Sequence, residues 1–332
     1  MIQQSIGIIS TGSYVPDRTI SNAELAARTG TSPEWIELKT QIRSRRYAAP
    51  DQAASDLAVL AGRRALTAAR LSENDIDYLI VSTSTGDSPQ PPTAALVQHA
   101  LQAHRAACLD INVVCSGFVY ALELAHALLT LHPGGRALVI AADVYSRILD
   151  FSDPRTAVLF ADGAGAAVVG PVPGPYGIER VLLRSFGNMH HLLGVPAGGS
   201  RSPASHATVD AGAHYFKMDG HATADFLLDI LPPLISEVVH AAGFELGDIE
   251  HVVPHQPNGR LIDDLAHKAG LDHTRIHRTI DALGNMGSAS IAVTLDQASA
   301  EFTDGDLVLL IGFGGGMAAG ACLLRWAQRR EL

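Results

Sequence analysis

The sequence contains few of the residues that cross-link a chain or bind metal. Its three cysteines, Cys108, Cys115 and Cys322, are too few and too scattered for a disulfide framework or a zinc site. Aromatic residues make up 5% of the chain and charged residues 17%. With 24 Lys and Arg against 34 Asp and Glu, and without a basic run, no nucleic-acid partner is expected.

Long apolar segments are also scarce. The N-terminal stretch MIQQSIGIISTGSYVP lacks the basic and apolar parts of a signal peptide and predicts a first strand and a turn. The most apolar segment, residues 157–172, includes Asp162 and several glycines and is too short to cross a bilayer. We therefore expect no membrane span and a cytoplasmic protein with free thiols.

The chain does contain enough apolar residues for a large core, since 47% of its 332 residues are hydrophobic. Strand and helix patterns alternate along its length, which favours an α/β fold with buried, largely parallel strands. The order of segments also recurs. The first half contains, in order, the segment IDYLIVSTST, a helix after Cys115, and the segments RALVIAADV and AVLFADGAGAAVVG. About half a chain later the same order returns as IEHVVPHQPN, a helix near GSASIAVTLDQA, DLVLLIGFGGG and GACLLRW.

This repeat predicts two similar α/β halves packed together, residues 1–172 and 173–332. The N-terminal half would carry the candidate nucleophile and the C-terminal half a histidine and an asparagine. Two insertions interrupt the plan. The first insertion, at about residues 20–60, begins with a helix-capping pattern, SNAE. The second, residues 184–220, is rich in Gly, Ser, Pro and His, which indicates a loop.

Cys115 lies where a β-branched run that predicts a buried strand gives way to a helical pattern. A helix N-terminus has unpaired N–H groups and partial positive charge, so it would lower the pKa of a thiol there and hold an oxyanion. The small residues Ser116 and Gly117 would let a substrate approach. The alternative is that Cys115 is a small core residue, which is the common environment of a cysteine.

Two further segments offer groups that could assist a nucleophile. In VVPHQPN, His255 comes where a strand ends in a loop, and in LGNMGSAS, Asn285 lies between Gly284 and Met286. The alternatives are a surface histidine in a capped turn and an asparagine chosen for its turn geometry. The run GFGGGMAAG permits a tight turn with exposed N–H groups, but no Lys-Ser/Thr follows it as in a phosphate loop.

No metal site is expected. His251 and His255 are four residues apart, but they belong to a strand ending at Pro254, where this spacing does not share a helical face. His273 and His277 have no metal-binding glutamate motif nearby. What remains is a nucleophile, a neutral base and an amide donor at strand ends, which together indicate acyl transfer through a thioester.

Seven segments, in order along nearly the whole chain, give it a resemblance to the β-ketoacyl-acyl-carrier-protein synthase III family. They are GSYVPDRTISNAEL, SPEWIELKTQIRSRR, DINVVCSGFVYAL, LFADGAGAAVV, VPHQPNGRLI, GNMGSASI and GFGGGMAAG. The resemblance implies a thiolase-like fold with two pseudo-symmetric α/β halves in a layered α-β-α-β-α arrangement. Asn285, in place of a second histidine, distinguishes this branch from the elongating synthases, and GFGGG argues against the chalcone-synthase branch.

The resemblance also implies roles for individual residues. Cys115 would accept the acyl group, and its backbone N–H and that of Gly315 would form the oxyanion hole. His255 and Asn285 would donate hydrogen bonds to the thioester carbonyl of the extender and stabilise the enolate left when malonyl loses carbon dioxide.

Further positions match residues that bind coenzyme A or the carrier protein in the family. Trp35 matches an adenine-stacking residue, and Pro154 replaces the arginine opposite it, with Arg155 next in the chain. Asp225 stands where a docking lysine is common. The remaining matches are Asn258 and Gly220 along the pantetheine channel, Phe313 beside the cysteine, and Arg260 for carrier docking.

We therefore expect a condensing enzyme that loads an acyl group from acyl-CoA onto Cys115 and condenses it with malonyl-acyl carrier protein, priming fatty-acid or polyketide synthesis without a cofactor. We also expect a homodimer, with the Pro-rich loop 86–95 reaching across its interface. One alternative is an acyltransferase that passes the acyl group to an oxygen, a nitrogen or a carrier without condensation. The other is a non-catalytic binding protein, which an unreactive Cys115 would favour.

Overall fold

The computed structural model describes residues 4–328, which form two central sheets covered and separated by helices. The strands are β1 (Gln4–Tyr14), β2 (Arg18–Ser21), β3 (Ser44–Tyr47), β4 (Tyr78–Ser82), β5 (Ala107–Ile111), β6 (Ala137–Val144), β7 (Asp162–Pro173), β8 (Gly177–Ser185), β9 (Leu193–Gly194), β10 (Lys217–Met218), β11 (His251–Pro254), β12 (Leu307–Gly314) and β13 (Ala318–Arg325). The helices are α1 (Asn22–Thr29), α2 (Pro33–Thr40), α3 (Ala54–Ala69), α4 (Thr93–Leu101), α5 (Gly117–Leu131), α6 (Pro154–Ala157), α7 (His206–Asp210), α8 (Gly220–Ala241), α9 (Gly259–Ala269), α10 (Ile280–Leu283) and α11 (Ala289–Ala298).

The two large sheets have corresponding strand orders. The first runs β1-β7-β6-β4-β5 and the second β8-β13-β12-β11. In the first half the recurring segments of the sequence form β4, α5, β6 and β7. In the second half they form β11, α11, β12 and β13, in the same order. The chain passes from the first sheet to the second between Pro173 and Gly177. The internal repeat therefore follows the strand order of the fold.

The expectation of largely parallel strands is wrong. Only β4–β5, β4–β6 and β11–β12 are parallel pairs within the described part of these sheets, whereas β1–β7, β6–β7, β12–β13 and β13–β8 are antiparallel. The reason lies in the connections. A parallel pair needs a crossover of about a dozen residues, but β12 and β13 are joined only by the turn Gly315–Met317. Apolar runs show burial on both faces and do not reveal strand direction.

Five layers result from the way the helices cover the sheets. Helices α5 and α11 lie between the sheets, and their buried residues share a core with β6 and β12. Helices α3 and α4 cover the other face of the first sheet, and α8 and α9 cover that of the second. This is the predicted α-β-α-β-α arrangement.

The insertion at about residues 20–60 begins with β2, α1, α2 and β3. Ser21 caps α1 by accepting a hydrogen bond from the backbone N–H of Glu24 at 3.1 Å, as the capping pattern predicts. Arg45 is fully buried and anchors the insertion, because its guanidinium donates to Asn22 Oδ1 at 2.6 Å and to the carbonyl of Val158 at 2.8 Å.

The segment Val114–Leu131 is, by length and composition, the one described helix that could cross a membrane, a feature that the sequence reading passed over. Core helices of globular proteins meet the same criterion. Here Phe118, Val119 and Leu122 are fully buried among the central core residues between the two sheets. The apolar character of the helix is thus accounted for by its place in the fold.

Candidate active site

Cys115 lies in the single 3-10 turn Val114–Ser116 that connects β5 to α5. Val114 has φ 47°, which is uncommon for a β-branched residue. Strained backbone conformations of this kind are often found at functional sites. Ser116 connects the turn to β13, because its hydroxyl donates a hydrogen bond to the carbonyl of Ala318 at 2.7 Å. The turn therefore holds the thiol in a fixed position ahead of the helix.

The expectation that the helix N-terminus lowers the pKa of this thiol is wrong. Burial, together with the nearby carboxyl group of Asp143, raises the pKa of Cys115 to about 12. Backbone N–H groups of Gly315 and of Cys115 itself donate to the sulfur and oppose the rise without cancelling it. Only the fold reveals both the depth of the pocket and the presence of Asp143. Cys115 is a neutral thiol in the free protein, so acylation requires a route for its proton.

The glycine run after β12 lies against the nucleophile. A Cβ on Gly314 would be 2.6 Å from Cys115 Cβ and 3.1 Å from its Sγ, so no larger residue fits there. Next in the chain, Gly315 donates its N–H to the sulfur. The N–H groups of Gly315 and Cys115 thus both lie close to the thiol, where they can donate to the oxygen of a carbonyl that becomes bound to the sulfur.

His255 follows β11 and is 2% exposed. Its ring packs edge-on against Phe313 with centroids 5.2 Å apart. Burial lowers the pKa of His255 to about 3, so the imidazole is neutral at physiological pH. Nδ1 is sealed off without a hydrogen-bond partner among the described residues, which leaves Nε2 as the ring nitrogen that can reach a substrate.

The neighbouring residue Gln256 fixes the loop that carries His255. Gln256 is fully buried, its amide nitrogen donates to the carbonyl of Pro254 at 2.8 Å, and its amide oxygen accepts from the N–H of Thr279 at 3.0 Å. All of these contacts are satisfied inside the protein, so the loop is rigid. At the opposite end of β11, His251 is hydrogen-bonded to His277 and Asp306. It therefore lies away from His255. Among residues 4–328, no group of three or more His, Cys, Asp or Glu is placed to hold a metal ion.

Asn285 precedes α11 and is 4% exposed. Its backbone is bound on both sides, to the carbonyl of Leu159 at 2.9 Å and to the N–H of Ala161 at 2.7 Å. Its side-chain oxygen accepts from the N–H of Gly287 at 3.0 Å. Since the oxygen is engaged, the amide nitrogen Nδ2 is the group left to donate into the cavity.

These three side chains line one cavity of about 520 Å³. Cys115, His255 and Asn285 are buried polar residues of this cavity, as are Thr40 and Thr223, and an apolar wall surrounds them. The wall residues include Val158, Leu159, Phe160, Leu193, Phe216, Met218, Leu227 and Phe313. A buried apolar cavity with a few convergent polar groups is the usual form of a small-molecule site. The nucleophile, the neutral imidazole and the amide donor can thus act on one bound thioester.

The predicted substrate-binding residues line the same cavity: Trp35, Arg155, Gly220, Asn258 and Phe313. Trp35 is half-buried and Arg155 exposed, so these two mark the open end. The structure adds a second role for Asn258, whose side-chain oxygen caps α9 by accepting from the N–H of Leu261 at 2.9 Å. Gly220 is the first residue of α8.

Arg260 is not among the lining residues of this cavity. It is exposed on α9, and its Nε donates to the carbonyl of Leu38 at the end of α2 at 2.6 Å. Asp225, where a docking lysine is common, is exposed on α8, and its carboxylate lies 3.7 Å from the ring of His221. The structure therefore leaves Arg260 on the outer surface near α2.

Sequence reasoning missed three aromatic residues that close the inner end of the site. Tyr145 is fully buried and stacks on Phe160 with centroids 4.5 Å apart, and Phe216 packs edge-on against both rings. The hydroxyl of Tyr145 lies 3.0 Å from Ser84 Oγ. A signal was present, because Tyr145 directly follows the buried strand β6 at the edge where other polar residues end their strands.

Comparisons with known proteins agree with this geometry. Residues 109–187 match the 3-oxoacyl-[acyl-carrier-protein] synthase III family model, and residues 239–326 match the model of its C-terminal part. The chain is 50% identical to acetoacetyl CoA synthase NphT7 of Streptomyces sp. strain CL190, over 96% of this chain and 98% of that protein. It is 42% identical to the β-ketoacyl-[acyl-carrier-protein] synthase III of Symbiobacterium thermophilum, over 97% and 98%.

A solved structure gives the same result for the fold. The priming β-ketosynthase from the R1128 polyketide biosynthetic pathway superimposes with a TM-score of 0.89 at 32% identity, over 99% of this chain and 98% of that one.

Proposed function

The chain belongs to the 3-oxoacyl-[acyl-carrier-protein] synthase III family, and we propose that it condenses an acyl group held on Cys115 with a malonyl thioester, releasing carbon dioxide. The observation that carries this proposal is the convergence of Cys115, His255 and Asn285 on one buried cavity. A nucleophile alone would serve simple acyl transfer. Two neutral hydrogen-bond donors beside it suit the stabilisation of an enolate.

In the first half of the reaction the sulfur of Cys115 attacks the carbonyl of an acyl-CoA. The N–H groups of Cys115 and Gly315, which lie close to the thiol, would donate hydrogen bonds to the oxyanion that forms. The proton of the Cys115 thiol is balanced by protonation of the departing sulfur, so coenzyme A leaves as a thiol and the acyl group stays on the enzyme as a thioester. The aromatic wall around Tyr145 excludes water from this intermediate.

In the second half a malonyl thioester enters the same cavity. Nε2 of His255 and Nδ2 of Asn285 donate hydrogen bonds to its thioester carbonyl, so negative charge can accumulate there as carbon dioxide departs. The neutral state of His255 fits this role, because a neutral ring with its proton on Nε2 donates without carrying a charge into the apolar cavity. The carbanion then attacks the acyl carbonyl and frees Cys115.

Coenzyme A and a carrier protein are the proposed partners. Trp35 would stack on adenine and Arg155 would meet the phosphates at the open end of the cavity, while Arg260 would contact the carrier. Acetoacetyl CoA synthase NphT7, by its name, forms a CoA-linked product, so malonyl-CoA is the second extender to test beside malonyl-acyl carrier protein. A homodimer, a cytoplasmic location and a reaction without a cofactor remain predictions.

The proposal is tested by measuring the intact mass of the protein after exposure to a panel of acyl-CoAs, followed by a chase with malonyl-CoA or malonyl-acyl carrier protein. We expect an adduct of one acyl group that Cys115→Ala abolishes. Cys108→Ala is the matched control, because Cys108 is the described cysteine with the greater exposure and lies outside the cavity. The adduct should persist in that variant.

The chase separates the possible reactions. Condensation predicts a product that has gained the acyl group and lost carbon dioxide, and it identifies the extender. A product that retains the malonyl carboxyl group would instead make the protein an acyltransferase. Absence of any adduct on wild-type Cys115 would favour a non-catalytic binding protein.

A further inference from the structure

A closed ring of side-chain hydrogen bonds connects α2 to α9. Gln41 Nε2 donates to Asp263 Oδ2 at 2.8 Å, and Arg278 Nη1 donates to the other oxygen of that carboxylate at 2.6 Å. Arg278 Nη2 closes the ring by donating to Gln41 Oε1 at 2.5 Å. Gln41 directly follows α2, Asp263 lies on α9 and Arg278 precedes α10. The ring therefore joins three segments, one of them far from the other two in the sequence.

Gln41 has a backbone conformation that favours glycine. Its φ is 59°, in the left-handed region, and its N–H ends α2 by donating to the carbonyl of Glu37 at 2.7 Å. Gln102 ends α4 in the same conformation, with φ 62°, but its side-chain nitrogen donates to the nearby carbonyl of His99 at 2.7 Å. What distinguishes Gln41 is therefore a side chain that reaches another helix.

Gly259 leaves the space that the ring needs. It is the first residue of α9 and is buried. A Cβ on it would overlap both Gln41 Oε1 and Arg278 Nη2, so a larger residue would displace these two ends of the ring. The ring therefore packs directly against the start of α9, next to Asn258.

Helix α2 depends on such contacts for its position. It has eight residues, of which only Ile36 and Thr40 are buried, and a helix so short is not stable by itself. Arg260 Nε also connects the helices by donating to the carbonyl of Leu38 at 2.6 Å, but at an exposed position where water can replace it. The ring, in which an ion pair and an amide support one another, is the stronger connection.

Both connected helices contribute to the wall of the cavity. The lining residues that they supply, counting the one just before α9, are Trp35, Lys39, Thr40, Asn258 and Leu261. The three ring residues are not among the lining residues of the cavity. The ring can therefore act on a bound substrate only through the positions of α2 and α9.

We propose that the ring of Gln41, Asp263 and Arg278 positions the coenzyme A site: it holds α2 against α9 and so keeps Trp35 where it meets adenine. This inference rests on the proposed function, in which an acyl-CoA loads Cys115. The three ring residues are positioning residues, because none of them touches the substrate. The nucleophile and the two donors lie on other segments, so loss of the ring should weaken coenzyme A binding without slowing the chemical step.

The ring can be opened and closed again by exchanging its amide and its carboxylate. Gln41→Glu brings two carboxylates face to face, and Asp263→Asn brings two amide NH₂ groups face to face, so each single change opens the ring. In the double variant the amide and the carboxylate have changed places, and all three hydrogen bonds can form again with Arg278. Recovery in the double variant would be the coupling expected of two groups in direct contact.

Gln41→Gly and Gln102→Gly form a matched pair. Each replaces a glutamine in the left-handed conformation by glycine and relieves the same backbone cost. Only Gln41→Gly removes a member of the ring. A difference between the two variants therefore reports on the ring and not on the backbone.

The first measurement is the exposure of Trp35 to acrylamide, which requires no acyl-CoA. The chain has two tryptophans, and Trp326 is buried in the core, so Trp326→Phe leaves Trp35 as the only fluorophore of this type. In that background Gln41→Gly and Gln41→Glu should raise the quenching constant at least about 1.5-fold, because α2 is less firmly held. The double variant with Asp263→Asn, and Gln102→Gly, should match the parent protein.

The second measurement is the single-turnover acylation of Cys115 over a series of acetyl-CoA concentrations. Gln41→Gly and Gln41→Glu should raise the half-saturating concentration about fivefold, because stacking on Trp35 is weakened. The maximal rate should stay within about twofold of wild type. The half-saturating concentration of acetyl-pantetheine, which lacks adenine, should not change. The double variant and Gln102→Gly should behave as wild type with both substrates.

The positioning role is wrong if Gln41→Gly leaves the half-saturating concentration of acetyl-CoA at the wild-type value, or if the double variant is no better than Gln41→Glu. Equal rises for acetyl-CoA and acetyl-pantetheine would also overturn it. Failure of the proposed function looks different. In that case no acyl-CoA would acylate wild-type Cys115, yet the quenching of Trp35 would still decide whether the ring holds α2.

Discussion

The side-chain oxygen of Asn285 accepts a hydrogen bond from the N–H of Gly287 at 3.0 Å. This contact determines which end of the amide faces the cavity. With the oxygen engaged, Nδ2 is presented to the substrate beside the ring of His255. The hydrogen bond from Gly287 thus leaves Asn285 to act as a donor toward the substrate.

Asn285→Asp tests this donor role with a nearly isosteric change. The carboxylate keeps the bond to Gly287 but places an acceptor where Nδ2 stood, so it repels the enolate of the extender. We expect decarboxylation of the malonyl thioester to fall about 100-fold or more, as when an oxyanion donor is lost. Acylation of Cys115 should change by less than about threefold. Equal losses in both half-reactions would show that Asn285 only supports the structure.

His255 makes the stability of the protein sensitive to acid. Its pKa is about 3 in the folded state, lowered by burial, and about 6.5 when unfolded. The unfolded chain therefore binds a proton that the folded protein does not bind until the pH is far lower. Stability is complete above the unfolded pKa and is lost as pH falls from about 6.5 toward about 3. The free energy of unfolding contributed by His255 therefore falls by about 2 kcal/mol between about pH 7.5 and about pH 5.

Urea unfolding of wild type and His255→Gln at these two pH values measures this contribution. The variant should lose about 2 kcal/mol less than wild type on acidification. The control is His104→Gln, which changes an exposed histidine and should follow wild type. A His255→Gln profile as steep as the wild-type profile would contradict the assignment.

Gly314 and Gly316 provide a matched pair in the glycine turn. Gly314→Ala would place a Cβ 2.6 Å from that of Cys115, whereas nothing lies within 4 Å of a Cβ at Gly316. We expect Gly314→Ala to abolish acylation of Cys115, measured by intact mass. Gly316→Ala has a left-handed φ of 66° and should lose about 1 kcal/mol of stability but still be acylated. Normal acylation of Gly314→Ala would contradict the tight contact.

Trp35 is expected to bind the adenine end of coenzyme A. Loss of base stacking costs about 1–3 kcal/mol, so Trp35→Ala should raise the KM for acetyl-CoA by about tenfold. The KM for acetyl-pantetheine, which lacks adenine, should stay the same. Leu38→Ala, on the same helix but 61% exposed and outside the cavity, is the control. A rise in KM for both substrates would instead indicate a collapsed cavity.

Arg260 separates the two forms of extender. If it docks the carrier protein, Arg260→Ala should raise the KM for malonyl-acyl carrier protein several-fold and leave that for malonyl-CoA unchanged, because Arg260 is exposed and lies outside the lining of the cavity. Both constants are measured by steady-state kinetics at low and high salt. If both KM values are unchanged, Arg260 does not take part in docking, and its role is limited to the hydrogen bond with the carbonyl of Leu38.

The sequence by itself determined the family and the five-layer fold, and both predictions are confirmed. The seven segments that carry the resemblance, among them those around Cys115, His255 and Asn285, are read directly from the chain, and the layered arrangement followed from that resemblance. The roles of these residues stay predictions, as does the division at residue 172.

Only the tertiary structure decided the direction of the strands and the electrostatics of the site. Pairing depends on which distant segments meet, so the chain could not show that β12 and β13 are antiparallel. The pKa of Cys115 depends on burial and on Asp143, which is 28 positions away by its number in the sequence and is brought close only when the sheet forms. The contact between the hydroxyl groups of Tyr145 and Ser84 could not be predicted for the same reason, because hydrogen bonds between side chains at the ends of different strands have no local signature in the sequence.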